Sequence, residues 1–154
     1  MRDKLTSTTL AGWVWIAFIL AAAGETTSRG AGLKLEVQLL WATDATTSPN
    51  PKHKPVGADL NKKLKQLPLK WSNYFEETRK MVEIPQGESK TVGLSGSCEL
   101  EVKNLGGSKI AVTHFGKGKK VGTRIQELPR GEVLVLGGNA PDSTAWLVVL
   151  KRIE

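Results

Sequence analysis

From Leu33 to Trp41 apolar and polar residues alternate. Leu33, Leu35, Val37, Leu39 and Trp41 fall on one side of an extended chain, and Lys34, Glu36 and Gln38 on the other. A period of two predicts a half-buried strand. Residues 43–57 carry Pro49, Pro51 and Pro55 and no apolar pattern, which predicts an exposed loop. The period then changes: Leu60, Leu64 and Leu67 stand at i, i+4 and i+7, with Lys62, Lys63 and Lys65 off that face. This predicts a short amphipathic helix, capped by Asp59 and ended near Gln66 by Pro68. Such a helix is marginal alone in water and needs a sheet to pack on.

Beyond Leu69 the chain reads as strands and turns. Leu69 to Lys80 alternates imperfectly and continues through Ile84. Shorter strands are predicted over Ser89–Leu94, Cys98–Lys103, Lys109–Phe115, Val121–Leu128, Glu132–Leu136 and Trp146–Arg152. Gly- and Pro-bearing turns separate them, at Pro85-Gln86-Gly87, Ser95-Gly96-Ser97, Gly106-Gly107, Gly116-Lys117-Gly118, Pro129-Arg130-Gly131 and Gly137-Gly138-Asn139. Regularly spaced short strands predict a mainly β fold, an antiparallel β-sandwich of about 7–9 strands with one short helix. Val133–Leu136 and Trp146–Leu150 are apolar on both faces, which predicts two central strands paired with each other.

The amino terminus has a different character. Arg2 and Lys4 precede an uncharged run, Ala11 to Ala23, that ends in Ala21-x-Ala23. A positive start, an apolar run and a small-x-small end form the three parts of a secretory signal. The run is too short to span a hydrocarbon core of roughly 30 Å. The expectation is a signal peptide over 1–23 and one exported domain over 24–154, periplasmic or secreted. Losing Arg2, Lys4 and Asp3 leaves 20 basic and 14 acidic residues. Cys98 is the only cysteine, so no intramolecular disulfide forms and the fold must rest on hydrophobic burial.

The basic balance does not by itself make a nucleic-acid binder, since no recognition helix, zinc finger or aromatic-studded strand accompanies it. Gly116-Lys117-Gly118-Lys119-Lys120-Val121-Gly122-Thr123 resembles a phosphate loop only superficially, because Lys is missing before Thr123 and a strand follows where a helix is required. Cys98, His53 and His114 lack metal-ligand spacing, so no metal or cofactor is expected. Cys98 and His114 can still meet. A three-residue turn, Leu105-Gly106-Gly107, would pair Asn104 with Ser108, Val102 with Ile110, Leu100 with Val112 and Cys98 with His114. A thiol facing an imidazole is a potential nucleophile–base pair, but inside a sandwich core it would meet no substrate, and the expected role is packing. Glu76, Glu77, Glu99, Glu101, Glu127 and Glu132 sit at strand ends or on outer faces without a visible acid pair.

Two groups remain as candidate binding residues. Lys117, Lys119 and Lys120 form a basic hairpin tip suited to an anionic surface. Trp71 and Tyr74, with Phe75, form a dense aromatic cluster that either packs the core or offers a shelf to a sugar ring or peptide. The order of features (an alternating first strand, a Pro-rich loop, Ala58-Asp59-Leu60 opening the helix, Trp71-x-x-Tyr74, Val135-Leu136-Gly137-Gly138 and a closing apolar strand) resembles a class of small exported bacterial proteins without an assigned role. The resemblance implies a β-sandwich with one helix and supplies no catalytic residues. The expected function is a non-catalytic binding or structural module of the cell envelope. Its partner would be a protein or an anionic envelope component met through the lysines, with Lys62, Lys63 and Lys65 contributing. The alternatives are a small-ligand carrier using the sandwich interior or the aromatic shelf, and a small hydrolase whose acids converge in a cleft.

Overall fold

The computed structural model describes residues 32–140 and 142–154, so the expected signal peptide lies outside the described residues. The chain forms β1 (Leu33–Thr43), β2 (Lys54–Pro55), α1 (Ala58–Lys65), β3 (Asn73–Ile84), β4 (Ser89–Ser95), β5 (Cys98–Gly106), β6 (Lys109–Gly116), β7 (Lys119–Glu127), β8 (Val133–Asn139) and β9 (Ala145–Arg152). Two antiparallel sheets result, one ordered β2-β3-β1-β9-β8 and the other β4-β5-β6-β7. The mainly β class, the antiparallel pairing and the single short helix among the described residues agree with expectation.

Strand parity explains the two cores. Leu33, Leu35, Val37 and Leu39 of β1, with Val148 and Leu150 of β9, join Val92, Leu94, Leu100, Val102, Ile110 and Val112 of the four-stranded sheet in one buried cluster. The opposite face of β1 and β9 presents Leu40, Ala42, Leu147 and Val149, which pack with Leu64 of α1 and with Tyr74. Strands β1 and β9 are therefore covered on both faces, which is why Leu39-Leu40 and Leu147 to Leu150 break simple alternation. No helix among the described residues is long and apolar enough to cross a membrane.

Several details differ from the sequence reading. The Pro-rich segment is not all loop: Lys54 and Pro55 form a short edge strand on β3, a position that proline tolerates because no ladder N–H is needed there. β3 begins at Asn73 and carries a bulge, since Leu39 pairs with Thr78 but Leu40 with Glu76. The extra residue, Glu77, reverses the parity of everything after it and accounts for the imperfect alternation. β8 is an edge strand and not a central one; its apolar second face, Val133 and Val135, is covered from outside the sheet as part of the helix-side cluster. Gly57 occupies the helix N-cap without a side-chain bond, and Asp59 sits in the first turn, where its charge complements the helix dipole.

The β5–β6 turn also differs. Gly106 pairs with Lys109, leaving Gly107 and Ser108 as a two-residue turn, with Leu105 bulged out between Asn104 and Gly106. Gly106 and Gly107 have φ of 97° and 61°, which glycine adopts without steric cost. Buried Asn104 holds this register: its Nδ2 donates to the Ile84 carbonyl at 2.9 Å and its Oδ1 accepts from the Gly106 N–H at 2.9 Å. The partners on β6 are displaced by two residues from the expected pairing, so parity survives while the facing residues change.

Candidate functional site: an open cleft between the sheets

Where β5, β6 and β8 approach their ends, the two sheets diverge and leave a cleft of about 750 Å³. Its lining includes Leu39, Leu136, Trp146 and Val148 from the five-stranded sheet and Cys98, His114 and Gly116 from the four-stranded one. The sequence leaves this volume empty for identifiable reasons. Gly138 follows Leu134 and Leu136 on the inward face of β8, and a Cβ built there would touch nothing within 4 Å. Gly96 and Gly116 line the same space from the other sheet. Gly137 is a packing glycine by contrast, since its Cβ would lie 2.7 Å from Leu147 Cδ2.

The two-residue displacement sets Cys98 opposite Gly116 and His114 opposite Leu100. The side chains still meet on the diagonal, with Cys98 Sγ 3.7 Å from His114 Nε2. The pair is not sealed in the core as expected: both residues are half-buried and face the cleft. Burial, and next the Glu77 carboxylate, push the Cys98 thiol up from its ordinary pKa, so the thiol stays protonated at neutral pH and is a poor nucleophile. The bulge in β3 is what delivers Glu77 to the rim.

Lys117 lies on the same rim, at a φ of 51°. Its N–H donates to the Ser97 carbonyl at 2.9 Å, tying the β6–β7 turn to the β4–β5 turn. Lys119 and Lys120 are exposed on β7, away from the cleft lining. The three lysines expected to act together are thus divided between a cleft rim and a sheet edge. Lys63 is engaged elsewhere, donating to the Gly131 carbonyl at 2.5 Å.

The aromatic cluster read from neighbouring positions is split in the same way. Adjacent strand residues face opposite sides, so Tyr74 enters the helix-side core while Phe75 turns to the other face. The Tyr74 hydroxyl donates to the Trp71 carbonyl at 2.8 Å, and its burial raises the phenol pKa. The Trp71 indole N–H donates to the Ser143 carbonyl at 2.8 Å, and Lys70 Nζ lies 5.0 Å from its ring centroid. Neither side chain reaches the cleft.

The residues the sequence reading missed are Trp41, His53 and Trp146. Trp41 is 6.0 Å from Phe75 and 5.9 Å from His53, and His53 is 6.5 Å from Trp146, centroid to centroid. This row continues to the cleft, where Trp146 is 42% exposed. The parity of Trp146 with Val148 and Leu150 carried the signal, but the strand pairing was needed to join it to Trp41. Ser48 Oγ holds His53 Nδ1 at 2.8 Å.

No cluster of three or more potential metal ligands occurs among the described residues. Glu36 and Asp59 do share a recess beneath α1, but it measures only about 40 Å³, room for water and not for a substrate. An outer groove of about 270 Å³ continues from it, where Arg79 holds Glu36 at 3.4 Å. Comparison with protein-family models, with curated proteins and with solved structures finds no match to this chain.

Proposed function

We propose that the protein is a non-catalytic binding module whose site is the inter-sheet cleft, and that its ligand is a small, mainly apolar molecule with one polar end. The observation that carries this reading is the cleft itself: about 750 Å³ with Leu39, Leu136, Val148 and Trp146 on its surface and few polar groups, Cys98, His114, Glu77 and Lys117 among them. Ligand sites are typically concavities of roughly 300–1,000 Å³ with apolar walls and a few orienting polar groups. Burial of ligand surface against these side chains supplies affinity, and Trp146 offers a ring face. The protonated thiol argues for binding over covalent catalysis. With the expected signal peptide, binding would take place in the envelope or outside the cell.

The test is a titration with 1-anilinonaphthalene-8-sulfonate, an apolar ring system bearing an anion. Wild-type protein should give saturable fluorescence enhancement. Gly138→Phe, which places a ring in space that is open in the structure, should abolish it while the circular dichroism spectrum and melting transition persist. Equal enhancement in a folded Gly138→Phe variant would contradict the reading.

The exposure of Lys119 and Lys120 supports a second reading, contact with an anionic envelope component through the basic tip. Co-sedimentation with anionic phospholipid vesicles that is lost at high salt, and lost again in a Lys119→Ala, Lys120→Ala variant, would favour it.

A further inference from the structure

Beside the cleft lies a second concavity, a gap of about 280 Å³ bordered by β6, β7 and β8. His114, Leu136 and Gly137 line both spaces, so the gap is an annex of the cleft. A glycine helps to open it. Gly122 pairs with His114, and Arg124 with Val112. Directly opposed residues share a sheet face, and Val112 is buried in the cluster between the sheets. Gly122 and Arg124 therefore belong to the inner face of β7. A Cβ at Gly122 would touch nothing within 4 Å.

The charge of the annex is one-sided. Arg124 and the His114 imidazole line it beside the apolar Val112, Val135 and Leu136, and no carboxylate does. Among the described residues Arg124 takes part in no salt bridge, so its fork of N–H donors is open to an outside acceptor. A planar guanidinium matches a carboxylate with two parallel N–H···O bonds. The main cleft differs, because Lys117 shares it with Glu77. After burial, the Glu77 charge is what pushes the Cys98 thiol pKa up, and the same charge repels an anion at that end of the cleft.

We infer that the ligand of the cleft is an amphiphilic organic acid, its carboxylate held by Arg124 in the annex and its apolar body against Leu39, Leu136, Val148 and Trp146. This rests on the cleft being the ligand site and adds the chemical class of the ligand. Leu136, common to both spaces, is the wall along which such a molecule runs from one to the other. Because Arg124 is exposed, water competes for its guanidinium and salt screens its charge. Arg124 therefore selects among ligands, while burial of the apolar body supplies most of the affinity.

The experiment is isothermal titration of the wild-type protein with probes that share one tail: octanoate, octan-1-ol and octyltrimethylammonium. Octanoate should bind tightest, by about tenfold over the alcohol at low salt, and the difference should shrink as salt is added. Arg124→Gln should bring octanoate down to about the affinity of the alcohol and leave the alcohol unchanged, with Arg124→Lys in between. Gly138→Phe should abolish the binding of both. Octanoate that binds no better than the alcohol, or that loses more affinity in Lys117→Gln than in Arg124→Gln, would overturn the inference. The cleft reading survives either result if the alcohol binds wild type and not Gly138→Phe. A wild type that binds none of the probes would overturn both.

Discussion

Single residues decide what the cleft can do. Cys98 is held protonated mainly by burial, and the sign of that effect gives a prediction. A thiol whose pKa is higher in the folded than in the unfolded chain contributes stability below the unfolded value and loses it as pH rises through the folded one. Alkylation of Cys98 by iodoacetamide near pH 8 should therefore be slower in the native protein than in denaturant, and native stability should decline at alkaline pH less steeply in Cys98→Ser than in wild type. Faster labelling of the native state would show an activated thiol and would reopen nucleophilic chemistry. Asn104 gives a second prediction. With both amide ends engaged in a buried position, Asn104→Ala should cost about 1–3 kcal/mol in denaturant unfolding. A negligible loss would mean that the turn glycines alone hold the register.

What was legible at this scale followed from periodicity. The alternation from Leu33 to Leu39 gave the core face directly, and the shared parity of Cys98 and His114 survived an error of two residues in their pairing. Tyr74 and Phe75 are both buried, as core packing of the aromatic cluster requires, but on opposite faces, because adjacency in sequence is separation across a strand. The bulge at Glu77 could not be read, since one extra residue leaves no mark in composition.

Among the elements, α1 depends most on its packing. It spans eight residues and buries Leu64 completely against the second face of β1 and β9. So short a helix lacks independent stability; Leu64→Ala should cost about 2–5 kcal/mol through the cavity it leaves. Leu67, though at helical spacing from Leu64, is 37% exposed, and Leu67→Ala should lower the urea midpoint far less. Similar losses would mean that the helix docks in another register. The helix itself could be found from Leu60, Leu64 and Leu67, and its need for a sheet could be argued. Which face of the sheet it covers could not, because that follows from strand order. For the same reason β8 was misplaced: a strand covered on both faces reads as central whether or not a neighbour pairs with each edge.

For the whole molecule, the five-stranded sheet is clad on both faces, with α1 and neighbouring side chains covering one side and the second sheet the other. The second sheet does not cover the end where Trp41, His53 and Trp146 gather. That uncovered end is the consequence of strand placement from which the functional proposal grows. It was invisible in the sequence because its lining comes from β1, β3, β4, β5, β6, β8 and β9 together. The most direct measurement is a nuclear magnetic resonance titration of isotope-labelled protein with 1-anilinonaphthalene-8-sulfonate, following methyl groups and the indole N–H signals. Saturable shifts confined to Leu39, Leu136, Val148 and Trp146 are the predicted result; shifts absent there, or found only at Lys119, Lys120 and the rest of β7, would contradict a ligand site between the sheets.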